Sequence, residues 1–168
     1  LLECTQYREA EPLLRRALQM DETIFGPDHP RVATTLNNLA TLLKDTNRLT
    51  EAEPLLRRAL LIDETCLGLD HPNVAVDLNN LATMLQATDR MMEAESLLRR
   101  ALQIDEITYG AKHPRVAMDL NNLATLLQAT YRLAEAEHLI RRVVDIFMFA
   151  YVPNHPYTRI GVENYQTI

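Results

Sequence analysis

Hydrophobic residues recur along most of the chain at the spacing of an amphipathic helix. In the stretch "HPRVATTLNNLATLL", which begins at His29, apolar side chains follow one another at intervals of three and four residues, the period of one helical face. Pro30 stands in the first turn, where a missing N–H is tolerated. A second stretch of the same period starts near Ala52 and ends before Gly68, a residue typical of a left-handed helix C-cap. We name these two predicted helices A and B.

This pair of helices occurs several times. His-Pro pairs begin at positions 29, 71, 113 and 155, a constant spacing of 42 residues, and such a period is typical of solenoids and other repeat arrays. The link "DTNRL" between A and B is long enough only for a tight turn, so the two helices form an antiparallel hairpin. Each hairpin leaves an apolar face that the next one must cover. The pattern therefore predicts an all-α solenoid of stacked antiparallel helix pairs.

The spacing also predicts where the repeats begin and end. The first residues align with the end of a helix A, followed by a complete helix B over 8–25. In the last predicted helix A, Gln166 replaces an alanine of the earlier repeats, which indicates a terminal cap. Because the chain opens inside a repeat and without Met, we expect a fragment of a longer protein. We expect one repeat domain made of a partial repeat (1–28), three full repeats (29–70, 71–112 and 113–154) and a capping helix (155–168).

The small and large positions of this unit carry a family resemblance. The order of Leu36, "NLA" at 38–40, Ala52 and Leu56 resembles the tetratricopeptide repeat (TPR), whose usual unit has about 34 residues. The longer unit, with "HPxVAxxLNNLAxLL" and "EAExLLRRAL", resembles the repeats of kinesin light chains and of related bacterial proteins. The resemblance implies a right-handed superhelix and a role in protein–protein interaction. The coiled coil by which kinesin light chains hold the motor is absent from this sequence, so motor binding is not implied.

Composition and charge exclude several classes of protein. A net charge of −6 argues against nucleic-acid binding, which usually needs a basic face. No stretch approaches the roughly 18 apolar residues of a membrane-spanning helix, so we expect no membrane association. Cys4 and Cys66 belong to no CxxC or Cys/His cluster, which favours two reduced thiols. We therefore expect a cytoplasmic protein.

Histidines at the repeat boundaries are the first candidates for catalytic or metal chemistry. Asp28 and Asp70 precede two of them, but Lys112 and Asn154 precede the others. Packed helices lie roughly 8–10 Å apart, too far for two such histidines to share one metal ion. The histidines are therefore predicted to lie at the N-termini of the A helices. No phosphate loop, nucleophile elbow or HExxH motif occurs. We expect no enzyme activity, no metal and no cofactor.

Arginine pairs follow glutamates along each helix B. Glu11, Glu53, Glu95 and Glu137 each precede the first Arg of a pair by four residues. This is the favourable order for an ion pair within one helix. The pattern favours solvated, locally paired charge over a phosphate-binding stripe.

A polar stripe lies opposite the apolar face of each helix A. Stacked repeats would align these stripes in rows, and the resemblance implies that they line a concave groove that holds a peptide segment of a partner. Asparagine amides in such rows can donate to and accept from a peptide backbone; the alternative is that they brace the groove by bonding to the next repeat. Apolar contacts are expected near Val76, Met84 and Met118. The groove candidates are Thr34, Asn38, Thr41, Val76, Asn80, Thr83, Met118, Asn122, Thr125 and Asn164.

Two further sets of residues are predicted beside this groove. The neighbouring amides of Asn37, Asn79 and Asn121 are expected to reach its rim. The arginines of the A–B turns would add contacts to acidic residues of a ligand at the same rim: Arg48, Arg90 and Arg132.

The last helix B differs from the earlier ones. Phe147, Met148 and Phe149 stand where the preceding repeat has Asp105, Glu106 and Ile107, positions that we predict to be solvated in that repeat. The apolar side chains are expected either to be covered by the terminal helix or another segment, or to form a self-association patch. The alternative function is therefore a structural module that forms homo-oligomers through its unpaired end helices.

Overall fold

The computed structural model describes the backbone of residues 2–150 and the side chains of residues 7 and 9–150. Helices joined by short turns make up this part of the chain, which confirms the all-α prediction. It folds as two compact units, which we call unit 1 (Leu1–Asp89) and unit 2 (Arg90–Ile168). The seven helices of the described part are α1 (Leu2–Phe25), α2 (Pro30–Asp45), α3 (Leu49–Leu67), α4 (Pro72–Ala87), α5 (Met91–Tyr109), α6 (Pro114–Ala129) and α7 (Leu133–Ala150).

A histidine caps the N-terminus of each helix A, namely α2, α4 and α6. The Nδ1 atoms of His29 and His71 accept hydrogen bonds of 3.1 Å from the backbone N–H two residues ahead, and that of His113 accepts one of 3.2 Å. A helix leaves its first N–H groups without partners, so a side-chain acceptor at this position stabilises it. Proline follows each histidine at the start of the helix. The prediction that these histidines mark the entry to helix A is confirmed.

The turns between A and B helices need a left-handed residue. Asn47, Asp89 and Tyr131 take this conformation, with φ of 59°, 61° and 60°. Asparagine and aspartate tolerate it, whereas an aromatic residue is strained there. In each case three residues separate the two helices.

Alanines allow the helices of a hairpin to pack closely. In unit 1, Ala40 of α2 and Ala52 of α3 are fully buried, and Val32 and Leu36 of α2 form a core cluster with Ile62 of α3. In unit 2, Ala124 and Ala136 occupy the equivalent places. The stacked antiparallel pairs predicted from the repeat are therefore present. No helix within residues 2–150 combines the length and apolar character needed to cross a membrane.

Two predictions about the ends of the array are corrected. α1 begins at Leu2 and not at residue 8; the stretch "LECTQY" contains no glycine or proline, so nothing in it stops the helix. Asp105 is buried rather than solvated, and Phe147, at the equivalent position of α7, is buried against Val116 and Ile146. Its ring therefore belongs to the core of unit 2. The predicted capping helix at 155–168 lies outside the described residues.

Candidate functional site

The predicted groove residues of unit 1 lie on the side of α2 and α4 that faces away from the core. The backbones of these two helices approach within 8 Å of each other. Their outward stripes therefore run side by side and form one surface, which we call the groove face. Met84, expected to contribute an apolar contact, is fully buried and is not part of it. The groove face of unit 1 consists of Thr34, Asn38 and Thr41 on α2 and Val76, Asn80 and Thr83 on α4.

Unit 2 carries an equivalent stripe on α6. Met118 is 65% exposed, Thr125 is exposed and Asn122 is half-buried. Asparagine and threonine thus recur at two helical positions in each unit, whereas the third position holds Thr34, Val76 or Met118. Asn164, the fourth predicted asparagine, lies outside the described residues.

Threonine hydroxyls on these stripes bond back to their own helix. Thr41, Thr83 and Thr125 each donate a 2.9 Å hydrogen bond to the carbonyl oxygen four residues earlier. Since each hydroxyl proton is used internally, the oxygen is left as an acceptor toward solvent. The stripes can therefore receive hydrogen bonds from N–H groups of a ligand.

The asparagines divide into exposed and bracing residues. Asn38 is exposed, whereas the Nδ2 of Asn80 donates to Oδ1 of Asn37 at 3.3 Å. Asn37 in turn donates from Nδ2 to Oδ1 of Asp77 at 2.5 Å. The side chain of Asn37 thus bridges α2 and α4, and its predicted place at the rim stays a prediction. At Asn80 the structure has the bracing contact that was the alternative interpretation.

The second rim asparagine also bonds within the protein. Asn79 donates from Nδ2 to the carbonyl oxygen of Ala75 at 3.0 Å. Asn121, the third, is half-buried on α6.

The arginines of the A–B turns are engaged in ion pairs within the protein. Arg48 bonds Glu51 through two nitrogens and reaches Glu11 on α1 at 2.7 Å. The hydrogen bond from Arg48 is the main reason why the pKa values of Glu11 and Glu51 lie below their ordinary value. These contacts tie α3 to α1. Arg48 therefore has a structural role, and its contact with an acidic ligand residue at the rim stays a prediction.

The same arrangement recurs in unit 2. Arg132 contacts Glu135 and, at 2.6 Å, Glu95 on α5. Burial raises the pKa of Glu95, but hydrogen bonds from Arg99 and Arg132 outweigh it and bring the pKa below its ordinary value. Arg90 bonds Glu93 in the same turn position. The predicted ion pairs within B helices are also present, as between Arg57 and Glu53.

An open cavity of about 570 Å³ adjoins the N-terminal end of α2. Arg31 in its wall is held by Asp21 at 3.1 Å and lies over the Phe25 ring, 5.4 Å from the centroid. Thr35 donates to the other oxygen of Asp21 at 2.6 Å. Thr34 and Asn38 of the groove face also line this cavity, together with Asn73. This cavity therefore adjoins the groove face of unit 1 and could hold a group of a ligand.

Buried carboxyl groups are the main feature that the sequence reading missed. Asp63, Asp77, Asp105 and Asp119 are all at most 3% exposed. Burial raises the pKa of Asp77 to about 7, and burial also raises that of Asp63. In the first repeat Thr35 takes the place of Asp77, 42 residues earlier. The hydrogen bond from Thr35 lowers the pKa of Asp21, which is the equivalent of Asp63. The recurrence of aspartate at the equivalent positions 21, 63 and 105 was the available signal.

No three His, Cys, Asp or Glu side chains come together as a metal site within the described part of the chain. Cys66 is a free, exposed thiol, and the side chain of Cys4 lies outside the description.

Apolar side chains are exposed on both end helices. On α7, Met148 and Phe149 are exposed, and the Nζ atom of Lys112 lies 4.6 Å from the Phe149 ring centroid. On α1, Met20 is 51% exposed, whereas the equivalent Ile62 and Ile104 are 3% and 2% exposed. Within α1 the face that later B helices bury against a helix A is thus only partly covered.

Comparison with known proteins places the chain among repeat proteins. The family model for the tetratricopeptide repeat matches residues 1–65 and 74–148. A putative kinesin light chain from Podosopora anserina with nearly identical TPR-like repeats shares 25% identity, with a TM-score of 0.83 over 98% of this chain and 78% of that one. BtubC (BKLC) from P. vanneervenii shares 23% identity, with a TM-score of 0.87 over 99% and 66%.

A more distant structure has the same kind of fold. The type III secretion translocator chaperone SycD of Yersinia enterocolitica shares 16% identity, with a TM-score of 0.60 over 82% of this chain and 90% of that one. Among curated proteins none matches this chain.

Proposed function

The chain belongs to the tetratricopeptide repeat family, generally protein-interaction scaffolds, and we propose that it holds a peptide segment of a partner protein against its groove face. The supporting observation is that the groove residues of α2 and α4 lie outward on two adjoining helices, with the core behind them. Such a surface is formed before any ligand arrives. Preorganisation of this kind reduces the entropy lost on binding.

The chemistry of the groove face suits a peptide backbone. Asn38 offers both a donor and an acceptor, and the hydroxyl oxygens of Thr41 and Thr83 are acceptors. Val76 and, in unit 2, Met118 add exposed apolar surface. The six residues that define the groove face of unit 1 are uncharged, so we expect the stretch of peptide over them to be uncharged; Asp21 and Arg31 line the cavity beside them. The free thiol of Cys66 is compatible with the cytoplasm as the place of action.

Self-assembly through α1 is the second candidate function. It is favoured by the exposure of Met20 beside Leu13 and Ile24, which are 66% and 65% exposed. Burying such a face is favourable by roughly 25 cal/mol for each Å² of apolar surface. This reading predicts a molecular mass that rises with protein concentration.

A capture experiment with three forms of the chain tests the groove. The groove variant carries Asn38→Ala, Val76→Ser and Met118→Ser, all at exposed or half-exposed positions. The control variant carries the same types of change on the outer faces of B helices. Its substitutions are Gln19→Ala, Leu61→Ser and Ile107→Ser, also at exposed positions.

Circular dichroism and thermal melting would first establish that the three forms fold alike. Proteins captured from an extract by the wild type and the control, but not by the groove variant, would be reduced to peptides and titrated against all three forms. A peptide whose affinity falls at least tenfold only for the groove variant supports the proposal. Equal capture by all three forms contradicts it. A lack of captured protein together with a mass that grows with concentration would favour self-assembly.

A further inference from the structure

A chain of polar side chains connects the interior of unit 1 to its groove face. Its inner end is Asp77 on α4, which is 1% exposed. Oδ1 of Asp77 accepts from Nδ2 of Asn37 at 2.5 Å, and Oδ1 of Asn37 accepts from Nδ2 of Asn80 at 3.3 Å. Asn80 belongs to the groove face. A buried group is thus two hydrogen bonds away from the proposed ligand surface.

The direction of these bonds is fixed by the carboxylate. An ionised carboxylate can only accept hydrogen bonds, so the amino end of the Asn37 amide must face Asp77. The carbonyl end of Asn37 then faces Asn80 and accepts its amino group. The carbonyl oxygen is then the end of the Asn80 amide that points away from Asn37.

We propose that Asp77 is a positioning residue that sets, through Asn37, which end of the Asn80 amide faces the groove. A carbonyl oxygen at this place selects an N–H donor on the ligand, such as the backbone amide of an extended peptide. This consequence for recognition rests on the proposed function. The orientation of the amide does not, and it is measured without any ligand.

The surroundings of Asp77 make the device sensitive to pH. Asn37 faces its carboxyl group from α2, while Asp63 and Glu64 act on it from α3. Asp63 is itself bonded by Asn73 and lies near the ring of His71. One oxygen of Asp77 and one of Asp63 have no hydrogen-bond partner. Removing or protonating the carboxylate therefore changes the acceptor that the Asn37 amide faces. Because Asn37 also accepts the hydrogen bond from Asn80, the orientation of the Asn80 amide changes with it.

The test is nuclear magnetic resonance of the side-chain amides in the full 168-residue chain, recorded from pH 5 to pH 8.5. In the wild type we expect the Asn80 side-chain resonances to titrate together with those of Asn37, with a midpoint near the value of about 7 for Asp77. The Asp77→Thr substitution, which copies the residue of the first repeat, should shift the Asn80 resonances at every pH and abolish the midpoint. Asp45→Thr, at an exposed site on α2, is the control.

The Asn37→Ala substitution separates transmission from a general effect of charge. Without Asn37, the Asn80 resonances should lose the titration even though Asp77 still titrates. Unchanged Asn80 resonances in the Asp77→Thr protein would overturn the proposal. So would a titration of Asn80 in the Asn37→Ala protein equal to that of the wild type. Neither outcome depends on whether the groove binds a peptide.

Discussion

The buried carboxyl group of Asp77 predicts a specific dependence of stability on pH. Its pKa is about 7 in the folded chain, against an ordinary value of 3.8 for aspartate. The folded state therefore binds a proton more tightly than the unfolded state. The sign follows from linkage: this stability is fully present below about pH 4 and is lost as the pH rises through 7.

The magnitude follows from the same two values. The full difference between them corresponds to roughly 4 kcal/mol of unfolding free energy. Over the practical range from pH 5 to pH 8, linkage gives a loss of roughly 2.5 kcal/mol. The carboxylates whose pKa values are lowered, such as Glu11 and Glu95, act in the opposite sense, but mainly below this range.

The Asp77→Thr substitution isolates this contribution. In the first repeat, Thr35 at the equivalent position donates to Asp21 at 2.6 Å, so a threonine hydroxyl suits the site beside Asp63. The variant loses the bond from Asn37 to a charged oxygen, worth about 1.5–3 kcal/mol. Only the wild type carries the pH-dependent contribution of Asp77, so the stability of the variant relative to the wild type should increase as the pH rises. Near neutral pH we expect the two to have similar free energies of unfolding.

Urea unfolding of both proteins at pH 5, 6, 7 and 8 measures the difference. The free-energy difference between variant and wild type should change by about 2.5 kcal/mol across this range in favour of the variant. Asp45→Thr, made at an exposed site on α2, controls for the change of side chain. A difference that stays constant from pH 5 to pH 8 would refute the reasoning.

Three further substitutions test the packing and the turns. Replacing Tyr131, at φ 60° in the last A–B turn, by asparagine should raise the free energy of unfolding by about 1 kcal/mol and with it the melting temperature. An unchanged or lower melting temperature would show that the backbone is not strained at Tyr131. Ala82 is fully buried, and its replacement by leucine should lower the free energy of unfolding by about 1–3 kcal/mol. The same change at the exposed Ala87 should have little effect. Equal melting temperatures for the two variants would contradict the packing. Met20→Glu on the partly covered face of α1 should abolish any concentration-dependent rise in mass measured by sedimentation, and a rise that persists in this variant would place self-association elsewhere.

The helices, their order and their caps could be predicted because each rests on local chemistry. The recurrence of apolar residues from Val32 to Leu43 is itself the period of a helix, and His29, Pro30 and Gly68 act on the few residues beside them. The buried alanines were predictable for a similar reason. A small residue repeated on an apolar face indicates close approach of two backbones.

Contacts between successive repeats were harder to predict. In unit 1, α4 packs against α3 and also approaches α2, so its buried arc is wider than the apolar stripe suggests. Asp77 therefore lies in the interior although aspartate is typical of surfaces. Asn37 and Asn38 are adjacent in sequence, yet one bridges two helices and the other faces solvent. Only the register between α2 and α4 decides which of the two asparagines bridges the helices and which faces solvent.

The ion pairs of the turns show the same limit. The spacing of Glu53 and Arg57 within one helix was enough to predict their contact. The contact between Arg48 and Glu11 joins residues 37 positions apart. Its prediction would have required the distance between successive B helices, which the sequence does not contain.

Photocrosslinking addresses the proposed groove most directly. A photoreactive residue in place of Thr41 or Thr83 would sample the groove face, and one in place of Leu61 or Ile107 would sample the exposed outer faces of B helices. After illumination in an extract, we expect covalent adducts of a partner protein from the two groove positions and few from the outer ones. Adducts that form only from the outer positions, or only with a second copy of this chain, would contradict peptide binding in the groove.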